Sequence, residues 1–310
     1  MNTAITAIGY SDEPLPYWQR PVTGLFADVE RTASRFLVNS GLSRLNRALR
    51  DQPVSVPPLL MELLQRAWEM AGATDYLFQP FIGTLMKRLG YDCSFEQLDK
   101  ELAWIGSTDA EIYPNSEKHR MVTDAAALSF DRPSYTVTRR ITEELDLGGI
   151  GKGWTVGRAA ALMRDQFHVT SGLVDAGGDI AVWSDEEPWC IGIQDPEDEE
   201  KEVLQLWVKE AGIATSNVLH RRWKQSGREF HHIVDVRTGL PAESDVIQAT
   251  VLAPKTDEAE VTAKILCMLG SEDGASWIAS RFPQHGYIMM KTNGEMMLNR
   301  KVKDYALKVV

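Results

Sequence analysis

Four short apolar runs follow one another between residues 172 and 208, and only turn residues separate them. The runs are Gly172–Asp175, Ile180–Trp183, Trp189–Ile193 and Val203–Val208. Short alternating runs divided by turns are typical of a β-meander or of successive hairpins. This part of the chain is therefore predicted to form antiparallel strands.

Helical patterns lie on both sides of these strands. Helices are predicted over residues 21–38, 57–71, 82–89, 152–165, 257–269 and 273–281. Further strands are predicted over 119–123, 127–130, 142–147, 229–235, 246–253 and 286–291, with a hairpin turn at Asn293-Gly294. The mixture predicts an α+β fold with mostly antiparallel sheets and flanking helices. No linker divides the chain, so we expect one domain over 1–310, helix-rich over 1–110 and mixed over 111–310.

The charge balance limits the partners of the chain. Its formal net charge is −11, which argues against nucleic-acid binding because such binding needs surplus Lys and Arg. No stretch approaches about 18 apolar residues, so no membrane insertion is expected. Three well-separated cysteines, Cys93, Cys190 and Cys267, favour reduced thiols over a disulfide framework or a zinc site. Since the N-terminus has no signal-peptide pattern, we expect a cytoplasmic location.

The segment Leu145–Gly153, LDLGGIGKG, carries the first chemical signal. Its glycines surround Lys152 where a strand is predicted to end and a helix to begin. Glycines let the backbone approach a ligand closely, and the amides at a helix start favour anions. Lys152 can add a point charge to a phosphate or to a flavin carbonyl. The alternative is a glycine-rich turn with a solvated lysine.

Two better-known nucleotide motifs do not fit this segment. A P-loop needs glycine where Asp146 stands and Ser or Thr where Gly153 stands. A dinucleotide fingerprint that starts at Gly149 needs Gly or Ala where Trp154 stands. Both motifs are therefore excluded.

Three further segments contain candidate features. VDAGGDI, residues 174–180, bends at a glycine pair beside two carboxylates, which by itself indicates only a hairpin turn. IATSN, residues 213–217, is typical of a strand that ends in a turn residue. HHIVDVRTG, residues 231–239, places His232 near a turn, where an imidazole can act as a base at neutral pH. A lone histidine is more often structural, and His231 points to the opposite face of the strand.

These segments follow the order and approximate spacing of the motifs of one family. DLGGIGKG, DAGGDI, IATSN, HHIVDVRTG and AEVTAKILCMLG resemble DLGAIAKG, NAGGDI, IATSG, HIIDPRTG and ADALATALFVLG of the FAD:protein FMN transferase (ApbE) family. In the N-terminal half, SRFLVNSGLSRLN and TDYLFQP resemble the family's SRF…SELSRLN and SDGAFDPT. The resemblance covers most of the chain, and five ordered motifs are far more specific than any one of them.

The resemblance implies a ligand and a reaction. Members of the family bind FAD and, with Mg²⁺, transfer FMN to a Thr or Ser of a target flavoprotein and release AMP. His232 and Lys152 are then the catalytic candidates, with His232 as the base that activates the acceptor hydroxyl. The residues that the resemblance places at FAD are Phe78, Gln79, Pro80, Asp146, Lys152 and Ile233.

The metal site that the resemblance implies is altered in this sequence. The family uses a backbone carbonyl, here that of Gly149, and an Asp and a Thr that correspond to Glu260 and Lys264. Glu260 can still ligate a hard cation, whereas a protonated Lys264 cannot. We hypothesise that Lys264 replaces part of the metal's charge against the FAD pyrophosphate; the alternative is a solvent-facing Lys264 that pairs with Glu260. A rival register uses Glu258 and Thr262 as the ligand pair.

Three interpretations of function follow from these residues. The first is FMN transfer to an acceptor flavoprotein, which Lys152 and His232 favour. The second is an FAD-binding protein with reduced or no transferase activity. Glu260, Lys264 and Gln79 favour it, and Gln79 stands where the family has Asp. The third is an FAD pyrophosphatase that gives FMN and AMP, with water in place of the acceptor hydroxyl.

Overall fold

The computed structural model describes residues 3–11, 17–95, 97–98, 121–198, 200–225 and 228–310. Its α-helices are α1 Gln19–Ala33, α2 Gly41–Arg47, α3 Pro58–Ala73, α4 Gly83–Arg88, α5 Gly151–Phe167, α6 Thr256–Leu269, α7 Ser271–Arg281 and α8 Val302–Tyr305. Its strands are β1 Thr6–Tyr10, β2 Pro53–Ser55, β3 Leu128–Asp131, β4 Thr136–Arg139, β5 Ser171–Asp175, β6 Asp179–Ser184, β7 Trp189–Gln194, β8 Glu202–Val208, β9 Glu210–Asn217, β10 Arg222–Gln225, β11 Arg228–His231, β12 Val234–Asp235, β13 Leu240–Pro241, β14 Val246–Ala253, β15 Gly286–Lys291, β16 Met296–Leu298 and β17 Ala306–Val309.

A seven-stranded sheet lies at the centre of the fold, with the strand order β1-β5-β6-β9-β14-β15-β16. Every neighbouring pair in this sheet is antiparallel. Two smaller three-stranded sheets have the orders β17-β8-β7 and β2-β4-β3. The predicted α+β fold with mostly antiparallel sheets is therefore confirmed.

The four apolar runs between residues 172 and 208 form two hairpins, as predicted, but the hairpins belong to different sheets. β5 pairs with β6 in the central sheet, whereas β7 pairs with β8 outside it. The second hairpin packs across one face of the central sheet, since burying apolar surface stabilises this arrangement. The buried cluster between them includes Val182, Ile191, Leu206, Ile213 and Leu252.

Helix α6 covers the opposite face of the central sheet. Val261 and Ile265 pack in one buried cluster with Ala249 and Val251 of β14. The start of α5 lies against the start of α6, because a Cβ at Gly153 would stand 2.6 Å from the carbonyl oxygen of Thr256. Only glycine permits so close an approach of two backbones. This contact brings the glycine-rich loop beside α6.

Two predictions in the first half of the chain are wrong in detail. α1 ends well before residue 38, because Ser34 adopts an extended backbone. Residues 142–147 form no strand. Instead, the side chain of Asn46 accepts the N–H of Leu145 and donates to its carbonyl oxygen, at 2.8 and 2.9 Å. A side chain thus takes the place of a neighbouring strand here.

The second half follows the predictions more closely. The strand predicted over 229–235 is broken after His231, so that β11 and β12 are separate. The strand predicted over 119–123 begins outside the described residues, and its described part, residues 121–123, forms no strand. The other predicted helices and strands lie within a few residues of their observed bounds. The helices α2 and α8 and the strands β1, β2, β4, β10, β13 and β17 were not predicted. Within the described ranges, no helix combines the length and apolar character that crossing a membrane requires.

Candidate active site

A cavity of about 450 Å³ lies between the end of α1, the loop before α5, the open end of the β10–β11 hairpin, and α6. Most residues singled out from the sequence line it, although they come from distant parts of the chain. They are Phe78, Gln79, Asp146, Gly149, Lys152, His232, Ile233 and Lys264. Pro80 and Glu260 do not line the cavity: Pro80 is buried behind its wall, where its carbonyl oxygen accepts the N–H of Asp146 at 2.8 Å.

The loop before α5 is held by the carboxylate of Asp146. This carboxylate accepts the N–H of Gly148 at 2.6 Å and Nε of Arg35 at 2.5 Å. Arg35 also donates to the carbonyl oxygen of Tyr91 at 2.6 Å, and its side chain is only 3% exposed. Asp146 therefore fixes one wall of the cavity through Arg35, for which the sequence analysis had assigned no role.

Four charged side chains alternate in sign where α5 meets α6. Nζ of Lys152 contacts the carboxylate of Asp179 and lies 3.6 Å from Oε1 of Glu260. Nζ of Lys264 lies 3.0 Å from the same Oε1, and Oε2 of Glu260 accepts the N–H of Gly153 at 2.8 Å. Glu260 is fully buried. Both of its carboxylate oxygens are therefore engaged within the protein.

The charges in this cluster depend on one another. Burial, followed by repulsion from Glu260, raises the pKa of Asp179 to about 6 despite the two lysines. Burial also opposes the charge of Glu260, but Lys264, Lys152 and the Gly153 N–H together hold its pKa below the ordinary value. Burial opposes the charge of Lys152 as well, and the two carboxylates outweigh it and raise the pKa of Lys152. The lysines are thus what permit two carboxylates to be buried here.

His232 follows β11 and lines the same cavity. Burial lowers the pKa of His232 well below its ordinary value, and the cations Arg221 and Lys264 lower it further. The imidazole is therefore neutral at neutral pH and can accept a proton. Its Nδ1 is buried and has no hydrogen-bond partner among the described residues, so a polar group is left for water or a bound molecule to satisfy.

The low pKa of His232 has a measurable consequence for stability. A histidine whose folded-state pKa lies below its unfolded value of about 6.5 stabilises the fold above that pH, and the contribution is lost as the pH falls toward the folded pKa. Below about pH 6.5, we expect acidification to destabilise the wild type more steeply than His232→Asn, by up to about 1.4 kcal/mol per pH unit. Urea unfolding of both proteins at several pH values measures this; equal slopes would contradict it.

An aromatic stack holds the β10–β11 hairpin against the rest of the molecule. Trp223 is 1% exposed and lies between Tyr91 and Phe230, with ring centroids 5.3 and 6.1 Å away. Its indole N–H donates to the carbonyl oxygen of Leu89, just after α4, at 2.7 Å. Because the hairpin is anchored in this way, its open end and His232 are fixed at the cavity.

Lys264 lies beside the two other residues that the resemblance assigns to a metal, Gly149 and Glu260. Cδ of Lys264 lies 3.9 Å from the position that a Cβ of Gly149 would take, and its Nζ contacts Glu260. The described part of the chain contains no group of three His, Cys, Asp or Glu side chains that could hold a metal ion. As arranged, Glu260 offers no free oxygen to a divalent cation.

The rival ligand pair is engaged away from the cavity. Glu258 lies 2.8 Å from Arg66 and 3.5 Å from His285. Thr262 donates to the backbone carbonyl oxygen of Glu258 at 2.7 Å. Neither side chain lines the cavity, so the register that uses this pair places its ligands away from the cavity.

Comparison with known proteins shows which family shares this sequence and this fold. The sequence profile of the ApbE family matches residues 1–289. This chain belongs to the ApbE family. A FAD:protein FMN transferase of Treponema pallidum is 28% identical over 261 residues, which span 79% of this chain and 69% of that protein. One of Klebsiella pneumoniae is 25% identical over 272 residues, which span 83% of this chain and 78% of that protein.

Solved ApbE structures share the fold. The ApbE protein of Thermotoga maritima has a TM-score of 0.81 at 24% identity, over 98% of this chain and 96% of that one. The flavin transferase ApbE of Vibrio cholerae has a TM-score of 0.79 at 23% identity, with the same coverage. The predicted ApbE-like domain with mainly antiparallel sheets is thus confirmed.

In this ApbE-family cavity, two arginines stand beside the residues that the motifs indicated. Arg35 lies within the quoted SRF segment, but no place at the site was predicted for it. Arg221 lies in none of the motifs, and it lines the cavity beside His232 because the β10–β11 hairpin brings it there. Together with Lys152 and Lys264, Arg221 gives this end of the cavity a surplus of positive charge, which suits an anionic ligand.

Proposed function

We propose that this ApbE-family chain acts as a FAD:protein FMN transferase, which moves FMN from FAD to a Thr or Ser of a target flavoprotein and releases AMP. The observation that carries the proposal is the convergence of a neutral His232 and the cations Lys152 and Lys264 on one cavity. The curated relatives named above are FAD:protein FMN transferases, which supports the same reaction.

The proposed step is a displacement at the phosphorus atom of the FMN half. The acceptor hydroxyl oxygen forms a bond to this phosphorus, and the bond from phosphorus to the bridging oxygen breaks, so that AMP leaves with the electron pair. His232 takes the proton of the hydroxyl, because its low pKa leaves it unprotonated at neutral pH. Lys152, on the first turn of α5, neutralises charge on the phosphate oxygens as the leaving group departs.

The altered metal site is part of the proposal. Mg²⁺, which the family resemblance implies, would have to displace Lys264 from Glu260, whose two oxygens already contact cations or an N–H. The ammonium of Lys264, attached to α6, instead supplies positive charge against the FAD pyrophosphate. The side chain is 22% exposed and lines the cavity, which argues against a lysine that only faces solvent.

A second function, FAD binding without transfer, is favoured by the same engagement of Glu260. If the reaction requires a divalent cation, a chain whose carboxylate is already paired retains FAD without turning it over. The third, FAD pyrophosphatase, requires only that water take the place of the acceptor hydroxyl. Each of the three leaves different products, so one assay separates them.

The test is to incubate the protein with FAD and an acceptor flavoprotein, with Mg²⁺ or with EDTA, and to measure AMP, free FMN and protein-bound flavin. We expect AMP in equal amount to covalently bound flavin, and the same yield in EDTA. Equal amounts of AMP and free FMN would indicate the pyrophosphatase instead. Bound FAD with no product in either buffer would indicate the binding protein, and AMP only with Mg²⁺ would contradict the charge replacement.

A further inference from the structure

The open end of the β10–β11 hairpin places an arginine directly beside the candidate base. In this hairpin Arg222 pairs with His231. Arg221 and His232 are the next residues outward on the two arms, and both line the cavity. Their closeness is also evident from charge, since Arg221 lowers the pKa of both His232 and Lys152.

Arg221 differs from the other cations at this end of the cavity, because none of the described carboxylates pairs with it. Lys152 contacts Asp179, and Lys264 pairs with Glu260. The neighbouring Arg222 pairs with Glu229 at 3.2 Å. Within the described ranges, no carboxylate lies within ion-pair distance of the Arg221 guanidinium. The charge of Arg221, unlike that of Lys152 and Lys264, is thus offset by no carboxylate within the described ranges.

The backbone conformation of Arg221 also supports a role in ligand binding. Its φ is +50°, in the left-handed region that non-glycine residues seldom adopt. Residues held in this conformation cluster at ligand sites. The anchored Trp223, two residues on, holds this turn in place by its hydrogen bond to the carbonyl of Leu89.

We propose that Arg221 binds the diphosphate bridge of FAD and holds it next to His232. The inference rests on the proposed function, since it presumes that FAD occupies this cavity. A guanidinium presents a planar fork of donors that matches two phosphate oxygens, so it fixes the orientation of the diphosphate as well as its charge. A diphosphate held by Arg221 lies next to His232, so that its phosphorus atom is close to the base.

The experiment measures binding of three probes to the full chain in EDTA, namely FAD, riboflavin and inorganic pyrophosphate. We expect Arg221→Ala to weaken binding of FAD and of pyrophosphate by about 10- to 100-fold, the loss of a charge-assisted pair of hydrogen bonds. Binding of riboflavin, which has no phosphate, should be unchanged. Arg221→Lys should recover part of the FAD affinity, because charge returns without the fork.

The matched control is Arg222→Ala, the adjacent arginine, which has its own partner in Glu229 and should bind all three probes as the wild type does. If Arg221→Ala binds FAD normally, or loses riboflavin as strongly as FAD, the assignment of Arg221 to the diphosphate is wrong. A wild-type chain that binds none of the probes would overturn the proposed function itself. The two failures are therefore distinguishable.

Discussion

Replacing His232 by asparagine should reduce the release of AMP from FAD by about 100- to 10,000-fold, the range by which general bases contribute to catalysis. FAD affinity should change little, because the variant keeps Lys152, Lys264 and Arg221 at the cavity. The measurement is AMP formed per chain in the presence of the acceptor flavoprotein, together with an FAD titration of the same preparation.

The control for this variant is the adjacent histidine. His231 lies within 3.1 Å of the carbonyl oxygen of Ala242 and does not line the cavity. His231→Gln should therefore retain AMP release even where thermal unfolding shows some loss of stability. Undiminished activity in His232→Asn, or equal loss in the two variants, would contradict the role of His232 as the base.

Replacing Lys264 by threonine should turn a metal-independent site into a metal-dependent one. Without its ammonium, the positive charge facing the FAD diphosphate falls, and we expect FAD binding in EDTA to weaken by about 10- to 100-fold. Oε1 of Glu260 is then released from one of its two cations, so that it and the new hydroxyl can ligate Mg²⁺. Added Mg²⁺ should restore the affinity, which calorimetry with and without the metal measures.

Lys255→Thr is the matched control, because Lys255 precedes the same helix but its side chain is 63% exposed and it pairs with Glu258. This variant should bind FAD as the wild type does in both buffers. If Lys264→Thr binds FAD in EDTA as tightly as the wild type, Lys264 does not stand in for a metal.

The motif residues were predictable because each motif carries its chemistry locally. The glycine-rich loop indicated Lys152 as a candidate. The spacing of four residues between Glu260 and Lys264 predicted that they share a face of α6. The sequence did not reveal that Lys152 would reach both Asp179 and Glu260. The contact with Glu260 depends on the close approach of α5 and α6 at Gly153, which is a tertiary contact between segments about a hundred residues apart.

Arg221 could not be predicted for a related reason. No local pattern marks it, and its place at the cavity follows from hairpin register and from the burial of Trp223. The absent strand at 142–147 has a similar origin, since Asn46 replaces a strand as the partner of Leu145. Periodicity identifies an element, whereas side chains from elsewhere in the fold decide where it stops.

A titration of the metal-free wild-type chain with FAD in EDTA, repeated with Mg²⁺, tests most directly whether the cavity binds FAD without a metal. We expect saturable binding of one FAD per chain, with the same affinity in the two buffers, because Lys152, Lys264 and Arg221 supply the charge at the cavity. No binding in either buffer would contradict the assignment of the cavity to FAD. Binding that appears only with Mg²⁺ would show that a metal, rather than Lys264, neutralises the diphosphate.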